Sequence, residues 1–353
     1  MTGIPPLVCP ADSLPPLGVD RGRKALRTIF SIIIGGVFGA LIVLSAKHAL
    51  EFDLLFLAGW LFAIALHEIA HATAAYARGW YVASIVIGPI YVTRSAGHGW
   101  RLGFRPVPLG GMVYAGPRRW EGDDRFRRDV FWFVGAGPTV SFATGAIAFM
   151  LGAPKTMLWC WGIISLVIGV GTIIPARYPT GLTSDGDKLL RAWRSEPGDM
   201  PLTALRMMAV AIRPRDWDPT LLAVARAEAE SEGSDAIDAT FLLYYWALDC
   251  GDIVGAGALL QRAIDYTCGT ARWPRTTISL EVGLEATLYE SVWRGDAAAA
   301  REWVGRAPFV AKSKSARFLS DFLERKPAAI AKFARTTFCH RATIERLNSS
   351  SSG

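Results

Sequence analysis

The sequence predicts a polytopic α-helical membrane protein of about four transmembrane helices, with a short membrane-associated β segment and a C-terminal cytoplasmic all-α domain. Three observations carry that prediction. Hydrophobic residues make up 51% of the 353 positions while 20% are charged, a combination rare in a uniformly soluble chain. The two kinds are segregated, with the long apolar runs before residue 175 and alternating charge after it. Basic residues crowd some of the connections between apolar runs and are nearly absent from others.

Four runs have the right length: 28–46, 54–76, 130–151 and 156–174. Each holds roughly 19 to 23 residues, which as a helix covers a hydrocarbon core of about 30 Å. Arg21, Arg23, Lys24 and Arg27 precede the first run. Arg78, Arg94, Arg101, Arg105, Arg118, Arg119, Arg125, Arg127 and Arg128 follow the second. By contrast, Lys47 is the only Lys or Arg between runs one and two, and Lys155 the only one between runs three and four. The positive-inside rule then puts the N-terminus, residues 77–129 and everything after run four in the cytoplasm. A multi-pass protein of a bacterial-type inner membrane is expected, with both termini cytoplasmic. The net charge of +7 is explained by these flanking residues, so no nucleic-acid partner is expected. The basic and aromatic run Arg118-Arg119-Trp120 to Arg128 fits an anchor on the anionic inner leaflet of the lipid bilayer.

The β segment rests on Val82–Ile87 and Ile90–Thr93, both rich in β-branched residues, with Gly88-Pro89 as a turn between them. Residues 191–345 read as short helices joined by glycine turns. Gly251-Asp252 with Ala256, Leu259, Leu260 and Ala263 is echoed 44 residues later by Gly295-Asp296 with Ala299, Ala300, Trp303 and Val304. Helix–turn–helix repeats of tetratricopeptide type have this appearance, and such a domain offers a docking surface to a cytoplasmic protein partner. Residues 1–27, proline-rich and basic, and 346–353, rich in serine, are expected to be disordered. The first apolar run starts only after residue 27 and no small-residue cleavage site follows it, so no cleavable signal peptide is predicted. Five scattered cysteines make no zinc or redox motif, and reduced thiols are expected.

Chemistry enters with His67-Glu68-Ile69-Ala70-His71, inside the second run. Histidines four apart share one helix face and can bind one zinc ion, and Glu68 between them is placed to act as general base on an activated water. An ionisable group in mid-membrane costs roughly 2.5–3.5 kcal/mol on insertion scales, so such residues are rarely kept without a function. Catalytic zinc takes three protein ligands and leaves one position open. The best candidate for the third is Asp185 in Ser184-Asp185-Gly186, because run four also ends on the cytoplasmic side and Pro175, Pro179 and Gly181 break its helix nearby. Irregular backbone at that depth is tolerated where it lines a cavity. His98, Glu121, Asp123 and Asp124 are the rivals, in the basic segment between runs two and three.

Four pieces, taken together, resemble the site-2 protease family of intramembrane zinc metalloproteases. They are His67-Glu68-Ile69-Ala70-His71, Pro108-Leu109-Gly110-Gly111-Met112-Val113, Gly137-Pro138-Thr139-Val140-Ser141, and Ile174-Pro175 followed by Ser184-Asp185-Gly186. The resemblance covers about residues 54–190. It implies a membrane-embedded metalloprotease domain over 28–190, one zinc ion per chain on His67, His71 and Asp185, and Glu68 as the catalytic residue. It also implies that Pro108, Leu109, Gly110 and Gly111 help hold a membrane-anchored protein substrate as an added strand. Ser141 and Thr172 stand where the family often has asparagine; both retain a hydroxyl for substrate binding. No PDZ-like domain is recognisable before Asp185. The rival expectation is a catalytically silent membrane scaffold that binds partners through residues 191–345.

Overall fold

A computed structural model describes residues 4–8, 49–95, 99–104, 110–153, 156–176, 183–194, 200–231, 235–269, 278–306 and 345. The expected first span, 28–46, and the tail 346–353 lie outside these residues. The chain divides into two compact units. One comprises Val19–Ala115 and Asp124–Ser195; the other comprises Met1–Gly18, Gly116–Asp123 and Glu196–Gly353.

The first unit begins with α1, Ala49–Ala77, a 29-residue helix. At 1.5 Å per residue it is about 44 Å long. A four-stranded sheet follows: β1 Tyr81–Ile87, β2 Ile90–Ser95, β3 Gly99–Phe104 and β4 Gly111–Gly116, in the order β3-β2-β1-β4. β1 and β2 are antiparallel and joined at Gly88-Pro89. Gly88 has φ 54°, a conformation that side chains resist, and the ring of Pro89 fixes its own φ, so the pair suits a tight turn. β2 and β3 are also antiparallel, which leaves β3 and β4 at the edges. The chain continues through α2 Asp123–Leu151, α3 Met157–Ile173 and α4 Asp185–Arg194.

Phe56–Ala77 of α1 and the whole of α2 are long and apolar enough to cross a membrane; α3 is a shorter apolar helix of 17 residues. Their surfaces are inverted relative to those of a water-soluble bundle. Phe62, Ile69, Trp132, Met150, Leu151 and Val170 are exposed, whereas His67, Glu68, His71, Ser141 and Ser165 are buried. An apolar surface of that extent is a liability in water and at home in lipid. Small residues bring α2 and α3 close, as in membrane bundles generally: a Cβ on Gly145 would lie 2.9 Å from the Leu166 nitrogen, and one on Gly162 would lie 2.9 Å from the Gly145 oxygen. Thr156 caps α3 by accepting from the Trp159 N–H, and Pro175 follows directly on its last turn.

The second unit is helical: α5 Met200–Met208, a 3-10 turn Pro214–Asp216, α6 Pro219–Ala229, α7 Ala236–Cys250, α8 Ile253–Gly269, α9 Ile278–Leu288 running into a π-helical turn Tyr289–Arg294, and α10 Ala297–Arg306. The two Gly-Asp pairs are corners of one design. Gly251 and Gly295, at φ 83° and 72°, end a helix in the left-handed conformation. Asp252 then accepts from the Gly255 N–H, and Asp296 from those of Ala298 and Ala299, starting the next helix. Leu205, Leu221, Tyr244, Leu248, Leu260, Ile264 and Tyr289 fill the core.

Residues 1–27 correct one expectation. Rather than being disordered throughout, this stretch has a held portion: residues 4–8 lie against the helical unit, with Ile4 and Leu7 packed on its apolar core. Partial burial of two large aliphatic side chains offsets an ordering cost that the ring-restricted backbone of Pro5-Pro6 keeps small. Cys160, Cys250 and Cys268 are free thiols.

A buried acid makes this unit pH-sensitive. Glu285 accepts hydrogen bonds from the hydroxyls of Tyr244, 3.2 Å, and Tyr245, 2.9 Å. Burial pushes its carboxyl up from 4.5 to about 7, against the effect of the two hydroxyls. Burial and the neighbouring Glu285 push Glu281 up to about 7 as well. A carboxyl harder to ionise folded than unfolded contributes stability below pH 4.5 that is lost as pH rises through 7. For Glu285 the contribution is roughly 3 kcal/mol. Melting temperature should therefore fall between about pH 5 and 7.5, and Glu285→Gln should flatten that slope. An unchanged slope in the variant would remove Glu285 as its source.

Candidate metal centre

Three elements that are remote in sequence meet at one buried point. Helix α1 brings His67 and His71 to one face because they are one turn apart. Helix α2 fixes their rings. The Nδ1 of His71 donates to the Phe133 carbonyl at 2.7 Å, and the Nδ1 of His67 lies 2.9 Å from the Ser141 hydroxyl. With Nδ1 engaged on each ring, both Nε2 atoms point at the same spot. Pro138 lies within α2 between these two contacts. Having no N–H, it removes the helical bond to the Val134 carbonyl one turn earlier.

The third element is the start of α4. Ser184 pins it: its hydroxyl donates to the Ile174 carbonyl at 2.8 Å and accepts from the N–H groups of Ala176 and Asp187. One side chain thus ties the break after α3 to the first turn of α4, where Asp185 sits. Gly186 is required by the same packing, because a Cβ there would overlap the carbonyl oxygen of Ile173. The Asp185 Oδ2 lies 3.2 Å from His67 Nε2 and 3.3 Å from His71 Nε2, and the two Nε2 atoms are 3.1 Å apart. The other carboxylate oxygen is held by Lys188, 3.3 Å away.

These distances test the site for a metal. A tetrahedral ion bound to nitrogen and oxygen at about 2.0–2.1 Å has its donors about 3.3 Å apart. The three donor atoms here, at 3.1 to 3.3 Å, make one face of such a tetrahedron, leaving its fourth corner for a non-protein ligand. Neutral imidazole and carboxylate are also the donor types that divalent ions take. All three residues are buried, and among the described residues they form the group of His, Cys, Asp and Glu side chains able to hold an ion.

Glu68 is buried beside the histidines and reaches the sheet, since a Cβ on Gly111, the first residue of the edge strand β4, would overlap its carboxylate. The acid is therefore held between the two histidines and the first residue of an edge strand. On the far side, α2 approaches so closely that a Cβ on Gly137 would overlap His71 Nε2 and lie 2.7 Å from His67 Nε2. Arg78, just after α1, donates from Nε to Asp129 on α2 at 2.6 Å, locking the two helices together about two turns past His71 and one turn before Phe133.

The structure brings His67, Glu68, His71 and Asp185 together, with Ser141 hydrogen-bonded to the His67 ring. Thr172 turns its hydroxyl to the Gly169 carbonyl in its own helix. Gly110 pairs through its carbonyl with the Gly88 N–H and leads into β4. Pro108 and Leu109 lie outside the described residues, as does the rival His98. Sequence reasoning missed the Phe133 carbonyl, Lys188 and the steric role of Gly137. Lys188 alone had a signal, one helical turn after Asp185.

A family model for peptidase family M50 matches residues 55–338. Searches of curated proteins and of solved structures gave no match. The matched range takes in both histidines, Glu68, the sheet, Asp185 and most of the helical unit, well over half of the chain, so the chain belongs to peptidase family M50, the site-2 protease family.

Proposed function

We propose that the protein is an intramembrane zinc endopeptidase that hydrolyses peptide bonds in or near the transmembrane segment of a membrane-anchored substrate. The observation that carries this reading is the buried His67–His71–Asp185 triangle, on helices with lipid-suited surfaces, with Glu68 wedged between it and a strand edge. Two imidazoles and one carboxylate at tetrahedral spacing suit zinc. Zinc bound there would act as a Lewis acid and make hydroxide available near neutral pH. His67, His71 and Asp185 hold the ion, and Ser141 and Phe133 keep the rings in the ligating tautomer. Glu68 accepts the proton of the attacking water and returns it to the leaving amine. Its burial keeps bulk water from competing for that proton.

A transmembrane substrate has its amides tied up in helix hydrogen bonds. Local unwinding frees them, and an open strand edge can replace the lost bonds. β4 is an edge strand and starts at Gly111 against Glu68, so a peptide paired along it would reach the acid. The basic-residue pattern supports four spans with both termini in the cytoplasm. Residues 4–8 hydrogen-bond to the helical unit, which agrees with an even number of crossings between them. With the positive-inside pattern, this reading puts the helical unit in the cytoplasm, where it is available to protein partners.

Protein purified in detergent should contain about one zinc ion per chain and cleave a single-span membrane protein. Chelation should remove both properties, and added zinc should restore both. Full zinc with no cleavage of any single-span candidate would leave the silent scaffold as the better account.

A further inference from the structure

The helical unit holds a second site, which the metal chemistry does not use. Gln261 on α8, and Glu290 and Arg294 on the π-helical turn after α9, grip the backbone of residues 4–8. The Gln261 side chain meets both polar groups of one residue: Oε1 accepts from the Val8 N–H and Nε2 donates to the Val8 carbonyl, each at 2.7 Å. Glu290 Oε1 accepts from the Leu7 N–H at 2.9 Å, and Arg294 Nε donates to the Ile4 carbonyl at 3.3 Å. Prolines 5 and 6 have no N–H, and both N–H groups that follow them end on this unit.

The side chains follow a pattern that the Pro-Pro pair explains. Polyproline II geometry has three residues per turn, so residues 4 and 7 fall on one side. Ile4 and Leu7 are the two that pack on the core, while Pro5, Pro6 and Val8 are exposed. The receiving side is also unusual. Glu290 is 0% exposed and ion-paired with Arg294, and its Oε1 is completed by the Leu7 N–H, from a segment outside the helices. A buried carboxylate oxygen without its donor is costly, so the site is built for a visiting backbone amide. π-helical turns, rare elsewhere, recur at functional sites.

We propose that this is a peptide-recognition site for an extended segment with two apolar side chains flanking a Pro-Pro pair, and that the chain's own residues 4–8 are its ligand, bound in cis. The proposal deepens the docking role given to the helical unit and rests on that reading, but on neither zinc nor proteolysis. Four bonds to main chain supply affinity without regard to sequence, and the two apolar anchors supply selection.

The test uses the full chain in detergent, intact and lacking residues 1–8, with a fluorescent peptide of residues 2–8. The truncated chain should bind the peptide saturably, and the intact chain at least about tenfold more weakly, because its site is already filled. Gln261→Ala in the truncated chain, or Ile4→Ser with Leu7→Ser in the peptide, should each weaken binding about tenfold. Saturable binding that ignores both changes would overturn the proposal, as would none at all to a truncated chain with normal circular dichroism. Should truncation unfold the chain, a protease site inserted after Val8 allows the intact protein to be nicked once folded. Exchange of the nicked segment for labelled peptide supports the site; a segment that never exchanges is a fixed strap and refutes it. If the intact chain is a dimer that truncation converts to monomer, the ligand comes from a second copy and the assignment in cis fails. None of these readouts involves substrate cleavage, so failure here leaves the protease reading standing.

Discussion

Glu68→Gln should leave the metal content at the wild-type level and lower kcat by roughly two to four orders of magnitude, the range that a positioned acid–base group contributes. The two halves of that expectation have separate causes. The metal is retained because the three donors that lie 3.1 to 3.3 Å apart are His67, His71 and Asp185, and Glu68 is not among them. Activity is lost because an amide accepts no proton from water at neutral pH. The substitution is also sterically quiet: glutamine keeps the volume that packs on Gly111, where no Cβ would fit. An alanine at 68 would open a cavity beside the ligands and confuse the two effects. Metal content by elemental analysis and initial rates on one single-span substrate, measured on the same preparation, separate them. A variant that loses its metal would show that Glu68 supports the ligands rather than the chemistry. One that cleaves at the wild-type rate would remove Glu68 from the mechanism.

How much of this site could be read from sequence depends on how local its determinants are. His67 and His71 are legible because four residues along a helix is a short-range geometric fact. Asp185 is 118 residues from His67 and became legible only through topology, since charge asymmetry put the ends of two spans at one depth. What holds the ligands was not legible. Phe133 contributes a carbonyl, which every residue has, and only the approach of α2 to His71 gives that one a role. Ser141 and Thr172 looked alike as hydroxyls replacing asparagine, yet one meets His67 and the other its own helix. The hairpin was legible because two runs rich in β-branched residues and the Gly88-Pro89 turn lie within a dozen residues. The placement of residues 4–8 was not, because composition is a local property and their partners are more than 250 positions away.

Gly137→Ala should abolish metal binding, and with it activity, while Gly135→Ala on the same helix should change neither. At 137 the added methyl would overlap His71 Nε2 and lie 2.7 Å from His67 Nε2, so it strikes the two donor atoms themselves. Neither ring can turn aside freely. His71 is tied through Nδ1 to the Phe133 carbonyl and His67 to the Ser141 hydroxyl, both on the helix that carries the methyl. Making room means breaking those bonds, which releases the tautomer, or moving α2 outward, which carries the anchors away from the rings. Either way Nε2 leaves its position by several tenths of an ångström or more, beyond the roughly 0.2 Å that metal–ligand distances tolerate. At 135 nothing lies within 4 Å of the added methyl, and alanine is favoured over glycine in a helix by about 1 kcal/mol. The control thus shares the helix, the chemistry of the change and its gain in helix propensity, and differs only in what the methyl meets. Loss of metal in both variants would point to a general disturbance of α2. Full metal in Gly137→Ala would mean that the rings and α2 are not packed as described, and the case for His67 and His71 as joint ligands would fall with it.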